Sequence, residues 1–168
     1  MVPVLGTVFS LPTSSLPPLA VGFMGLGTGY LIYFSQELFG WPKRGPSVDI
    51  GTGVWGIWLP GLMQLITGLF LFTGLMLGVY TDKPLYAAAL AFTAYGVHWF
   101  GIGWNRFNGA DSRTNTGMTV GYTLISVLGM ITFFEAGDVP VAGLFIGLTS
   151  IYIGDFFSTL TPHFAKVG

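Results

Sequence analysis

The sequence predicts an all-α fold, a polytopic transmembrane helical bundle with five spans in one domain over 1–168. Three observations predict it. Charge is scarce: six basic and seven acidic residues make up 8% of the chain, against roughly 25% in a soluble domain. Apolar residues reach 52%. The third observation is distribution. Met1–Gln36, Ile50–Thr81, Pro84–Asn105, Thr114–Phe134 and Val139–Gly154 contain no Asp, Glu, Lys or Arg. A helix needs about 20 apolar residues to cross a hydrocarbon layer of roughly 30 Å, whereas a barrel would show short alternating strands.

The residues before Pro17 read as an irregular lead-in, with turns favoured at Pro12–Ser15. The first span is expected over 17–39, its two prolines in the first turn, where a missing N–H costs nothing. Gly40–Asp49 reads as a loop by its prolines and charges. The second span is expected over 53–80, long enough to tilt, and Pro60 inside it removes a backbone donor and predicts a kink. Span three follows at 84–104 after the tight Thr81–Lys83 connection. Asn105–Thr116, the most polar stretch of the chain, leads to span four at 117–134. Glu135–Pro140 turns into span five at 141–160. Trp41, Trp55 and Trp104 fall at span ends, where indole rings prefer the interface.

Net charge is −1 with no Lys/Arg cluster, so nucleic-acid binding has no electrostatic basis. Without cysteine there are no disulfides or thiolate sites. Lys43, Arg44, Arg106, Arg113 and Lys166 fall on one side of the expected spans and Lys83 on the other, a bias that places the N-terminus outside the cytoplasm. Glycine numbers 26, about double the usual 7%. Gly25–Gly29, Gly74–Gly78, Gly117–Gly121 and Gly143–Gly147 are G-x-x-x-G pairs within the expected spans. Such pairs let helix backbones approach closely in lipid.

Polar groups at membrane depth are costly and mark pathways or inter-helix bonds. Gln64 lies mid-span, suited to either role. In span three, Thr93 can satisfy its hydroxyl on its own helix. Tyr95 and His98, three apart, share a face; the first suits a gate, the second a proton acceptor or an inter-helix bond. Asp155 is the one acidic residue well inside an expected span, able to carry a proton or to be solvated at the interface. His98 and His163 are the only histidines, and no paired-carboxylate, zinc or serine-nucleophile motif occurs. The sequence therefore predicts no enzyme, no metal and no cofactor.

Four stretches carry a family resemblance. Ser15-Leu-Pro-Pro-Leu-Ala-Val21 resembles the N-P-A-P-L-G-L signature of the acetate uptake transporter family (succinate–acetate permeases). Pro18 and Leu19 are identical to it, Ala20 is conservative, and Ser15 stands in place of the Asn. Gly56-Ile57, Gly61, Gln64 and Gly68 are similar to the family's G-I-x-x-x-G-x-x-Q-x-x-x-G. Phe92-Thr-Ala-Tyr-Gly-Val-His-Trp99 is similar to its F-T/G-S-Y-G-x-F-W, with His98 where an aromatic is usual. Gly121-Tyr-Thr-Leu124 and Leu148-Thr149 sit where helices four and five have comparable residues. The family's acidic residue at the end of helix 2 and the G-N-T-F run after it are replaced here by the apolar Leu69–Tyr80.

The resemblance implies a six-helix protomer in a homohexamer, with a pore through each protomer narrowed by three large side chains. By motif these are Tyr95, Leu148 and either Met24 or Phe23. It also implies cytoplasmic termini, against the charge bias, and a sixth helix, whose lead-in Phe164-Ala-Lys-Val-Gly168 resembles. The expected function is a channel or proton-coupled transporter for small carboxylates such as acetate or succinate, in the plasma (inner) membrane. Two alternatives stand beside it: a non-catalytic accessory subunit of a larger membrane complex, with other membrane subunits as partners, and a urea- or amide-type channel.

Overall fold

The computed structural model of the protein describes residues 17–160. Over those residues the chain is all-α. Its helices are α1 (Pro17–Phe39), α2 (Pro46–Gly56), α3 (Leu62–Met76), α4 (Lys83–Asn108), α5 (Thr116–Glu135) and α6 (Val139–Leu160), with a π-helical turn at Ile57–Gly61 and a 3-10 turn at Ser112–Asn115. Among the described residues, four stretches are long and apolar enough to cross a membrane: Pro46–Met76, Lys83–Asn108, Arg113–Glu135 and Val139–Thr159. These suggest a multi-pass membrane protein. The helix expected over 17–39 forms at those bounds but stands outside this set.

The second span departs from its expected bounds of 53–80 at both ends. It starts at Pro46 because proline suits the first helical turn. Asp49 also lies in that turn, where its charge complements the helix dipole, and it pairs with Arg44 at 3.3 Å. The last four residues of the expected loop, 46–49, are therefore helix, and Trp55 lies inside the span rather than at its end. At the other end the helix stops at Met76. Gly78 takes a left-handed φ of 70°, Val79 N–H donates to the Gly74 carbonyl, and the Tyr80 ring folds back over Gly74. Between these ends Pro60 sits in the π-helical turn. One widened turn accommodates the missing N–H and the ring, where a sharp break would leave buried carbonyls unpaired.

The remaining turns follow their local chemistry. Gly109 and Gly137 end α4 and α5 with φ of 64° and 77°, the left-handed region that glycine enters without strain. Asp138 accepts the Val141 N–H at the start of α6. Asp111 accepts from the Arg113 side chain and backbone N–H, which together hold its carboxyl down at about 2.

α1 packs on α3 and the π-helical turn, α2 and α3 pack on α4, α4 on α5, and α5 on α6. Glycine sets the closest of these crossings. A Cβ on Gly53 would lie 2.6 Å from the Gly103 carbonyl oxygen, and one on Gly96 would lie 2.6 Å from the Leu65 backbone nitrogen. Of the expected G-x-x-x-G pairs, Gly25–Gly29 packs α1 onto Leu59, Pro60 and Met63. Gly74–Gly78 is instead a helix end. Gly117–Gly121 and Gly143–Gly147 face open space within the described chain. The buried core runs through Leu71, Ala89, Phe92, Tyr122, Phe145 and Tyr152, while Leu31, Val97, Leu124, Ile131 and Ile146 lie exposed on the outside. An apolar exterior of this extent fits lipid rather than water.

Candidate functional site: two cavities either side of an aromatic layer

Three helices build a layer across the bundle. Tyr95 and His98 of α4 are three residues apart, while Tyr122 and Ser126 of α5, and Leu148 and Tyr152 of α6, are four apart, so each pair projects from one helix face. All six side chains are buried. His98 stacks on Tyr122 with ring centroids 4.2 Å apart. Tyr122 stacks on Tyr152 at 5.4 Å, and Tyr152 on Tyr95 at 5.8 Å. Two hydrogen bonds fix the layer. The His98 Nδ1 and the Tyr152 hydroxyl lie 3.2 Å apart, and the Tyr95 hydroxyl and Ser126 Oγ lie 2.7 Å apart. Because Ser126 Oγ donates to its own helix at the Tyr122 carbonyl, the Tyr95 hydroxyl donates to Ser126.

A cavity lies on each side of this layer. The wide one, about 1030 Å³, has His98, Tyr152, Tyr30, Asp155, Glu37 and Arg106 in its wall and reaches the 40–45 and 109–115 links. The narrow one, about 230 Å³, is walled by Phe23, Gln64, Phe92, Tyr95, Phe145 and Leu148, with Asp82 and Asp138 from the opposite turns. Both α1 and α6 contribute to each wall.

The structure brings four of the expected site residues, Phe23, Gln64, Tyr95 and Leu148, to the narrow cavity. Leu19 of the signature-like motif joins them. Met24 does not: it is 57% exposed on the outer surface, so of the two α1 candidates only Phe23 faces inward, edge-on to Phe92 at 5.2 Å. His98 and Asp155 line the wide cavity, where Asp155 is exposed. Thr93 lines neither. It presses against Gly68 where α3 meets α4, and its Oγ1 has no hydrogen-bond partner, contrary to the expected bond to its own helix. Ala20 is exposed and Pro18 lies in the first turn of α1. Ser15, His163 and Lys166 lie outside the described residues.

Sequence reasoning missed the polar cluster at the mouth of the wide cavity. Arg106, whose side chain is 13% exposed, donates to Glu37 at 2.9 Å, to the Gln36 side chain and to Thr52 Oγ1 at 3.5 Å. Its guanidinium also sits 4.2 Å above the Tyr33 ring. One side chain thus ties α1, α2 and α4 together. The available signal was Gln36-Glu37 and Arg106 at the ends of two otherwise charge-free runs. Replacing Arg106 by Ala is expected to cost about 2 kcal/mol, the range for hydrogen bonds to a charged group. Arg106→Lys is expected to recover less than half of that, since lysine lacks the planar fork. Thermal unfolding in detergent checks both.

Among the described residues no group of three His, Asp or Glu side chains converges to hold a metal. No protein-family model, no curated protein and no solved structure matches the chain.

Proposed function

We propose that the chain is a membrane channel or proton-coupled transporter for small carboxylates, with α1 as a fifth span beside the four apolar stretches. The observation that supports this most is the pair of cavities meeting at the Tyr95–Tyr122–Tyr152–His98 layer. A path across a bundle needs space from both ends and one constriction that excludes bulk water. The wide cavity supplies a vestibule, the narrow one a place for a solute of a few heavy atoms, and the ring layer a barrier with hydrogen-bonding edges. Phe23 and Leu148 narrow the far side. The resemblance to the acetate uptake transporters, carried by Gln64 and the Tyr95 motif, supports the same class of solute. No catalytic step is assigned.

In proteoliposomes the protein is expected to accelerate acetate uptake under an inward proton gradient. Uptake no faster than into protein-free vesicles would remove the reading.

The open glycine faces favour a second reading. Gly117 and Gly121 on α5 and Gly143 and Gly147 on α6 have nothing near them, and small-residue faces suit helix-to-helix contact in lipid. An accessory subunit of a larger complex would use them against foreign helices, and a homo-oligomeric transporter against its own copies. Co-purification with other subunits after mild extraction supports the former; a stable isolated oligomer supports the latter.

A further inference from the structure

Gln64 is 0% exposed, it forms part of the narrow cavity's wall, and neither its Oε1 nor its Nε2 has a hydrogen-bond partner. A buried amide left unpaired on both edges is costly and calls for an explanation. The rest of the wall is almost wholly apolar: Phe23, Leu26, Phe92, Phe133, Phe145 and Leu148 surround it. Its titratable members are Tyr95, Asp82 and Asp138, and the Tyr95 hydroxyl is already committed to Ser126. No Lys, Arg or His is among the lining residues.

These facts specify a ligand. A primary amide offers a donor and an acceptor side by side, so its full complement is a planar group with an acceptor and a donor at the same spacing. An ionised carboxylate has acceptors only. It would leave Oε1 facing negative charge, in a pocket with two aspartates and no cation, which an anion enters only at high cost. An undissociated carboxylic acid fits: its carbonyl accepts from Nε2 and its hydroxyl donates to Oε1. So does a small primary amide. At about 230 Å³ the cavity is below the roughly 300–1,000 Å³ of drug-sized pockets, which restricts the ligand to a few heavy atoms.

We infer that the narrow cavity binds the neutral form of a short carboxylic acid, or an amide of the same shape, edge-on to Gln64. As a statement about transport this rests on the proposed function, and it adds that the species crossing is uncharged. The acid takes its proton from water on one side and releases it on the other, so no protein group has to ionise in the layer.

The test uses the full chain in detergent micelles, with saturation-transfer NMR on the methyl signals of acetamide and of acetic acid. The acid is measured below and above its pKa, roughly 4 to 5 for a carboxyl. Transfer to acetamide and to the undissociated acid is expected, each displacing the other, with none to acetate ion. Gln64→Leu, close in volume, should weaken both by about tenfold, as the loss of two neutral hydrogen bonds implies, and should leave thermal stability unchanged or raised. Equal binding of the ion, or undiminished binding by Gln64→Leu, overturns the inference. The comparison of acid with ion needs no variant, so it decides the matter even if Gln64→Leu does not fold. Gln64-dependent binding alongside vesicles that take up neither solute would remove the transport reading while supporting the site.

Discussion

Gly96→Val is expected to prevent the bundle from forming. A Cβ at Gly96 would lie 2.6 Å from the Leu65 nitrogen, 2.9 Å from the Leu65 Cα and 3.0 Å from the Gly61 carbonyl oxygen. All three are backbone atoms, so no rotamer change relieves the overlap; α3 and α4 must separate. The same approach is made at Gly68, whose Cβ would lie 2.5 Å from the Thr93 nitrogen, and where Gly53 and Gly103 would each meet the other's carbonyl oxygen at 2.6 Å. Separation at one crossing therefore strains the others along α4. Overpacking in an adaptable core costs about 1–3 kcal/mol. Here the rigid partner places the cost at the top of that range or beyond, before the γ-methyls of valine are added. The measurement is the monodisperse fraction and unfolding temperature of the detergent-extracted protein. Gly121→Ala and Gly143→Ala are the controls. Nothing lies within 4 Å of either Cβ, so the single chain should gain up to about 1 kcal/mol of helix propensity. Gly96→Val folding as well as these controls would refute the crossing geometry.

The contrast between those glycines shows how far the sequence could be read. Charge-free runs located the body of each of the five expected spans, because lipid or a large apolar core is the only place such runs can be buried, and the Pro17–Pro18 pair, read as a first helical turn, marks where α1 starts. Boundaries failed where one residue type has two uses. Pro46 read as a loop breaker but starts α2, and Gly78 read as half of a packing pair but ends α3. Spacing of four says that two glycines share a face and nothing about what that face meets. Two of the close crossings on α4 are made by Gly96, against Leu65, and Gly103, against Gly53, seven residues apart, a spacing that pattern does not flag.

The candidate site was legible to the same degree. Gln64 and Tyr95 stand out as polar atoms in greasy runs, and they do face one cavity. The sequence gives Tyr122, within the Gly121-Tyr-Thr-Leu124 stretch, and Tyr152 no role in a site, because an aromatic in a charge-free run has the look of packing or of an interfacial belt. Only the rotation of α5 and α6 about their axes turns them toward His98. The choice between Met24 and Phe23 depended on the same rotation for α1. Arg106 illustrates the reverse. A basic residue at a span end ordinarily reaches for water or headgroups, yet this one turns in to Glu37 and the Tyr33 ring.

Under the transport reading, Tyr95→Ala is expected to turn a selective path into a leak. The Tyr95 ring walls the narrow cavity and contacts Tyr122 and Tyr152, which with His98 close it from the wide one. Removing the ring joins the two spaces and strips a hydroxyl from the constriction. Water permeability of proteoliposomes should rise by about tenfold, equivalent to about 1.4 kcal/mol off the barrier. Acetate uptake should lose its dependence on the proton gradient once water and the ion can pass. The same change costs stability, about 3–5 kcal/mol for an aromatic truncated to alanine in a core, so rates are compared per folded protein after size exclusion. Tyr95→Phe separates ring from hydroxyl. Ser126 keeps its bond to the Tyr122 carbonyl, no buried donor is orphaned, and the expected loss is about 1 kcal/mol with water still excluded. The barrier is thus attributed to the ring and its register to the hydroxyl. Wild-type water permeability in folded Tyr95→Ala would mean that no conduit runs through this layer, and the open faces of α5 and α6 would then become the leading evidence for an accessory role.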